Sequence, residues 1–155
     1  MKKKFKLFCF GFGQVGKYFV KNLIKNKFNF SLITTNTTKT KIGQFNNLKY
    51  KSYYFQDEKF DKNLLKELKS ADKILISIPP SKNNDLVLKK FGEIFKKNKF
   101  DWVTYLSATS VYGDKMGKWV NETTVTKPTS QRGIARLNAE KNWLKYFKDF
   151  NLALQ

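Results

Sequence analysis

The chain has 155 residues, 41% of them hydrophobic and 16% aromatic, enough apolar material for one domain with a substantial core, which excludes global disorder. It carries a formal charge of +19, no histidine and a single cysteine, Cys9. Those counts exclude an internal disulfide, histidine-based acid–base chemistry and most transition-metal sites, so no metal is expected.

Lys2-Lys3-Lys4 ahead of Leu7-Phe8-Cys9-Phe10 mimics a signal peptide. Lys6 interrupts the stretch, however, and no small-residue cleavage site follows. No run approaches the roughly 20 apolar residues of a membrane span. The expectation is a cytoplasmic protein without membrane contact. Lysines are spread from Lys2 to Lys148 instead of forming one block. The charge therefore reads as a solvated surface that draws in anionic cofactors, with a nucleic-acid face the less favoured alternative.

Phe5 to Phe10 is a nearly continuous apolar run, which predicts a strand buried on both faces. A helix is predicted from Val15 to Lys25, with Val15, Phe19 and Leu23 four apart and Val20 and Ile24 beside them. A second strand is expected over Phe28 to Thr35. The polar segment Asn36 to Asn47 is ambiguous, with a short helix around Lys41 to Phe45, and Tyr50 to Phe55 reads as a third strand. Asp61 is placed as the cap of a helix through Leu68. Lys73 to Ile78 forms a fourth strand, stopped by Pro79-Pro80, neither of which can donate to a ladder. Asp85 opens a helix that buries Val87, Phe91, Ile94 and Phe95.

Trp102 to Ser107 is the fifth strand, followed by an irregular loop through Lys127. Pro128, then Thr129 or Ser130 as cap, starts a last helix to about Phe147. Leu152 to Leu154 begin another apolar run, and the strand there looks cut short. This alternation predicts an α/β fold: a doubly wound parallel sheet of the Rossmann type, three layers α/β/α, over one domain spanning 1–155 whose C-terminal substrate part is missing.

Gly11-Phe12-Gly13-Gln14-Val15-Gly16 falls directly between a predicted strand and a predicted helix, the context that makes GxGxxG informative. Gly11 permits the tight turn, Gly13 lets a pyrophosphate approach the backbone, and Gly16 allows close packing of helix on strand. Free amides at the helix start then face the phosphates. The reading is a nicotinamide dinucleotide site; the alternative is an ordinary glycine-rich turn. After the second strand, Thr34-Thr35-Asn36-Thr37-Thr38-Lys39 offers no carboxylate to receive ribose hydroxyls. Thr35, Asn36 and Lys39 would welcome a 2′-phosphate, so NADP is favoured over NAD; otherwise these are loop residues. Ser77 and Pro79 close the fourth strand near the expected ribose.

The two arginines, Arg132 and Arg136, stand one helical turn apart. A guanidinium grips a phosphate or carboxylate through two parallel hydrogen bonds, so the pair is a candidate anion clamp. Equally, they form surface salt bridges, with Arg136 beside Glu140 at helical spacing.

Together with the glycine turn, Leu106-Ser107-Ala108-Thr109-Ser110-Val111-Tyr112-Gly113-Asp114 resembles the extended short-chain dehydrogenase/reductase group, which includes NAD-dependent epimerases and dehydratases. Val111-Tyr112-Gly113 followed by Glu122 and Pro128 carries the likeness, and it spans nearly the whole chain. Members of that group are longer, with a C-terminal part that makes the substrate pocket. The catalytic Ser/Thr of the group falls here on Ala108. Its Tyr-x-x-x-Lys pair falls on Arg132 and Arg136, and an arginine is a poor general acid.

The chain therefore resembles the atypical branch, which keeps the fold and glycine turn but lacks that pair. The resemblance implies Tyr112, Ser107 and Thr109 as the remaining polar groups near a nicotinamide, with Tyr112 equally a turn residue packing under its loop. The expected function is an NAD(P)-dependent oxidoreductase, or a sugar-nucleotide epimerase/dehydratase-like protein, acting on an unnamed small molecule. The alternative is a non-catalytic dinucleotide sensor or scaffold. An open sheet edge would invite a partner chain, so a homodimer is also among the expectations.

Overall fold

The computed structural model describes residues 3–57, 59–81 and 85–149; the apolar run Leu152 to Leu154 lies outside them. The first strand, β1, is Phe5–Phe10, followed by helix α1, Gln14–Lys25. Then come β2 (Phe30–Asn36), β3 (Lys41–Phe45), β4 (Leu48–Gln56) and the two-residue β5 (Lys59–Phe60). Helix α2 is Leu64–Lys69, β6 is Lys73–Ile76, α3 is Leu86–Lys97 and β7 is Trp102–Tyr105. A short 3-10 turn, Thr109–Tyr112, leads towards α4, Gln131–Asp149.

The sheet runs β3-β4-β2-β1-β6-β7, with β5 attached to β4. From β4 to β7 every pairing is parallel, while β3 and β5 are antiparallel to β4. Chain order reverses on either side of β1, so the crevice beyond the carboxyl ends of β1 and β6 is the switch point where such folds hold ligands. This is a Rossmann-type α/β fold.

Alternation along the strands feeds two apolar layers. Phe8, Phe10, Ile74, Ile76 and Val103 face α2, α3 and α4 in the larger cluster. Leu7, Cys9, Leu32 and Leu75 face α1 in the smaller one. Helix α4 lowers Ala135, Ala139, Trp143 and Phe147 onto the sheet at intervals of four, small residues first and large ones last. Trp143 is fully buried, with its ring 5.4 Å from Phe95 and 5.6 Å from Phe147. Its Nε1 donates to Asp85, whose other oxygen accepts from Leu88 N and caps α3 as the sequence predicts. Ser130 caps α4 by accepting from Gly133 N.

Several expectations need correction. Lys41–Phe45 is a strand, not a short helix. A two-residue turn, with Asn46 at φ 51°, folds it back on β4 in register Phe45↔Leu48, and the Tyr50 ring covers the opposing Gly43. Asp61 does not cap α2; it accepts from Asn63 N and from Thr40 Oγ1, fastening the preceding turn to the β3–β4 hairpin. Val15 is 60% exposed; Gly16 and Val20 are the buried residues of α1, with Phe19, Leu23 and Ile24 packed beside them. Predicted strand ends at Ile78 and Ser107 retract to Ile76 and Tyr105, and β2 starts at Phe30 after Lys27, at φ 53°, turns the chain beyond the end of α1.

Truncating Trp143→Ala removes this anchor, and a loss of about 3–5 kcal/mol in urea unfolding is expected. Burial pushes the Cys9 thiol up from 9.0 to about 12 and the Tyr105 phenol up from 10.0 to about 12. Folding thus holds both protons on. The stability they carry is intact below the unfolded values and is lost as pH rises towards the folded ones. Unfolding midpoints measured from about pH 9 to about pH 11 should therefore fall, and fall less in a Cys9→Ala chain.

Candidate functional site

Three strand ends converge beneath the glycine turn. Gly11, at φ +80°, occupies backbone space that favours glycine, and its N–H donates to Thr35 Oγ1 at 2.8 Å. Its carbonyl accepts from Cys9 Sγ at 2.7 Å, and the single Ser77 hydroxyl proton is shared between the Phe10 carbonyl at 3.0 Å and the Gly11 carbonyl at 3.3 Å. Cys9 is wholly buried and protonated, so it serves as a donor under the turn rather than as a nucleophile.

Where the turn enters α1, Gly13 occupies the cap position with no side-chain capping bond, and the first helical turn contains no acidic residue. The leading amides thus keep their donors and the positive end of the helix dipole. A Cβ built on Gly13 meets nothing within 4 Å, so the space above the turn is open. A Cβ on Gly16 would sit 3.4 Å from Cys9 Sγ and 3.6 Å from the Gly11 carbonyl, which is how closely α1 rests on β1.

The turn forms one wall of a groove of about 770 Å³. Every residue of the expected glycine motif, from Gly11 through Gly16, lines it, as do Thr35, Asn36, Ser77 and Pro79. Lys39 does not line it; Thr37 and Lys41 do. Asn36 explains the exchange. Its Oδ1 accepts from Thr38 N and Lys39 N, while its Nδ2 donates to the Lys39 carbonyl and to Ser52 Oγ. The amide is consumed in shaping the loop. Phe12 packs on Phe45 and Tyr50, ring centroids 5.6 and 5.0 Å away, so the β3–β4 hairpin is braced against the glycine turn.

Sequence reasoning missed Lys41, Tyr50, Gln56 and Asp57 as groove residues. Lys41 and Tyr50 were legible only if the hairpin had been recognised. Gln56 and Asp57 follow from the end of a parallel strand, where side chains enter the crevice.

The residues after β7 sit apart. Thr109 and Tyr112 line a separate shallow depression with Lys118 and the fully exposed Trp119. Ser107 is exposed and lines neither hollow. The two arginines are also placed differently from each other. Arg136 Nη1 donates to the Leu106 carbonyl at 2.6 Å, and its guanidinium lies 5.9 Å from the Tyr105 ring centroid. Arg132 is exposed. The expected Arg136–Glu140 pairing gives way to the Leu106 bond. Burial pushes the Asp85 carboxyl up, opposed by its bonds to Leu88 and Trp143 and by the Arg136 charge. Among the described residues no cluster of three metal-binding side chains exists, and no helix is long and apolar enough to cross a membrane.

No protein-family model matches the sequence, and no curated protein does. Solved structures match closely in shape. A functionally unknown conserved protein from Silicibacter pomeroyi is 28% identical with a TM-score of 0.71, matching 97% of this chain and 51% of its own. UDP-glucuronic acid 4-epimerase from Bacillus cereus, solved with NAD, is 22% identical with a TM-score of 0.75, matching 96% and 53%. dTDP-glucose 4,6-dehydratase from Bacillus anthracis, also with NAD, is 20% identical with a TM-score of 0.73, matching 97% and 53%. The chain has the fold of NAD-dependent sugar-nucleotide epimerases and dehydratases, and it spans about half the length of the structures it matches.

In Gly13→Val the added Cβ enters open space above the turn, so the urea midpoint should stay close to that of the parent chain. For a nicotinamide dinucleotide docked on this turn, a loss of at least about tenfold in affinity, about 1.4 kcal/mol, is expected by fluorescence titration. Gly11→Val should cost stability as well, since φ +80° strains any side chain.

Proposed function

We propose that this chain is a nicotinamide-dinucleotide-binding unit that prefers NADP to NAD. It is the nucleotide half of an oxidoreductase or sugar-nucleotide epimerase/dehydratase-like protein with a non-standard active site. One observation carries the reading: the amides at the start of α1 face an open groove while side chains from three strands hold the turn beneath them. The bound NAD in two structures of the same fold supports the cofactor class.

The 2′-phosphate preference rests on the far wall of the groove. No carboxylate ends β2, whereas Thr37 and Lys41 line the groove there. An ammonium can meet the added phosphate as a point charge. Arg132 and Arg136 serve in sequence rather than as one clamp: Arg136 anchors the segment after β7, and Arg132 is left to meet an anionic group.

A second reading is favoured by Ala108 and the two arginines at the positions of the catalytic hydroxyl and the Tyr-Lys pair in the resembled group. Without a replacement proton donor, the chain would hold the cofactor as a sensor or scaffold. Tyr112, Thr109 and Ser107 are the candidates for that missing donor.

Titration with NADPH and NADH at physiological salt tests the shared premise; NADPH should bind more tightly. Lys41→Glu should then weaken NADPH by about tenfold and leave NADH nearly unchanged, reversing the preference. Hydride transfer from bound NADPH to a carbonyl panel separates enzyme from sensor. Binding to DNA in place of dinucleotide, fading steeply as salt rises, would return the reading to bare electrostatics.

A further inference from the structure

One hydroxyl of the groove keeps its proton because of the way its neighbour is held. Asn36 Oδ1 accepts from the backbone amides of Thr38 and Lys39, at 2.9 and 3.1 Å, so that end of the side chain is the oxygen. The other end is the amide nitrogen, which only donates, and it gives a hydrogen bond of 2.8 Å to Ser52 Oγ. Ser52 spends a lone pair on Asn36 and retains its own O–H. Among the described residues no oxygen accepts that proton, although Ser52 is only 3% exposed and lines the groove. A donor buried in this way calls for an acceptor.

A cation stands beside it. In the β3–β4 ladder Lys41 pairs with Ser52 and Gly43 with Tyr50, and directly opposed residues of an antiparallel pair share a face. Lys41, Ser52 and Tyr50 therefore lie on one face, the face on which Tyr50 meets Phe12 of the glycine turn. All three line the groove. A Cβ on Gly43 would collide with the Tyr50 ring, so the bare glycine lets that ring lie across β3. Among the described residues no ion pair engages Lys41. Asp57 is the carboxylate of the groove wall, but it follows the far end of β4, about 16 Å beyond Ser52 along an extended strand.

We propose that Ser52, with Lys41 opposite it, forms a phosphomonoester subsite that receives the 2′-phosphate of the dinucleotide. The inference rests on the dinucleotide reading above and adds to it a residue from neither the glycine turn nor the loop after β2. A phosphate suits both groups at once. A ribose hydroxyl can accept from Ser52, yet it leaves the ammonium without a counter-charge. Phosphate oxygens take the Ser52 proton in a charge-assisted bond and meet Lys41 as a point charge. The hairpin positions on this face, Lys41, Gly43, Phe45, Leu48, Tyr50 and Ser52, include no acidic side chain to oppose the anion. Asn36 acts here as a positioning residue, shaping its loop with the oxygen and orienting Ser52 with the nitrogen.

Fluorescence titration of NADPH and NADH against the parent chain and Ser52→Ala tests it. The substitution removes one small polar atom, so the far-UV spectrum and urea midpoint should stay close to those of the parent. NADPH affinity should fall about tenfold, while NADH affinity stays within about twofold. In phosphorus NMR of bound NADP⁺, the 2′-phosphate resonance should differ between parent and variant, with the diphosphate resonances unchanged. A parent that prefers NADPH and a variant with the same preference overturn the inference and leave the dinucleotide reading standing. Equal losses for both cofactors overturn it too, and make Ser52 a prop for the Asn36 loop. A parent that binds both cofactors alike overturns it together with the NADP preference. A parent that binds neither overturns the whole dinucleotide reading.

Discussion

The architecture turns on a backbone bend whose own hydrogen-bonding groups are satisfied from below so that those above stay free. At Gly11 the N–H is taken by Thr35 and the carbonyl by Cys9 and Ser77. Each partner sits at the carboxyl end of a strand adjacent in the sheet, β2, β1 or β6. Leaving those groups unpaired in a half-buried position would cost about 1–3 kcal/mol apiece. The next amides, at Gly13 and onward, have no side-chain cap to turn to. A turn built this way is rigid without ligand and has donors to spare for one.

Much of the remaining structure serves to keep that bend in register. β1 lies between β2 and β6, so the bend inherits the rigidity of a central strand. Gly16 lets α1 settle on Cys9, and Phe12 wedges against the hairpin rings of Phe45 and Tyr50. At the other end of the sheet, Arg136 ties the strand exit at Leu106 to α4. A guanidinium so engaged is a strut for the loop bearing Ala108 and Tyr112, and this separates its role from that of the exposed Arg132.

What the sequence revealed, and what it concealed, follows the range of the interactions. β1, α1, the Asp85 cap and the helix from Gln131 were legible because apolar period, capping residue and glycine spacing are local signals. Lys41–Phe45 was not, since Gly43 weakens any strand pattern and its compensation is a ring seven residues away, Tyr50. Lys39 and Lys41 are indistinguishable in sequence; only the turn closed by the Asn36 amide decides which lines the groove. Thr35 and Ser77 line the groove, and their work within the turn depends on contacts 24 and 66 residues apart. Asp61 shows the same limit: a carboxylate ahead of a helix reads as a cap until a distant threonine claims it.

The most direct test of the central claim is an amide-resolved NMR titration of the 155-residue chain with NADP⁺. If the diphosphate docks on the first crossover, the resonances of Gly13, Gln14, Val15 and Gly16 shift first and furthest, and saturate together. Saturable binding that leaves those four resonances in place, with shifts scattered over lysine-rich surface, would contradict it.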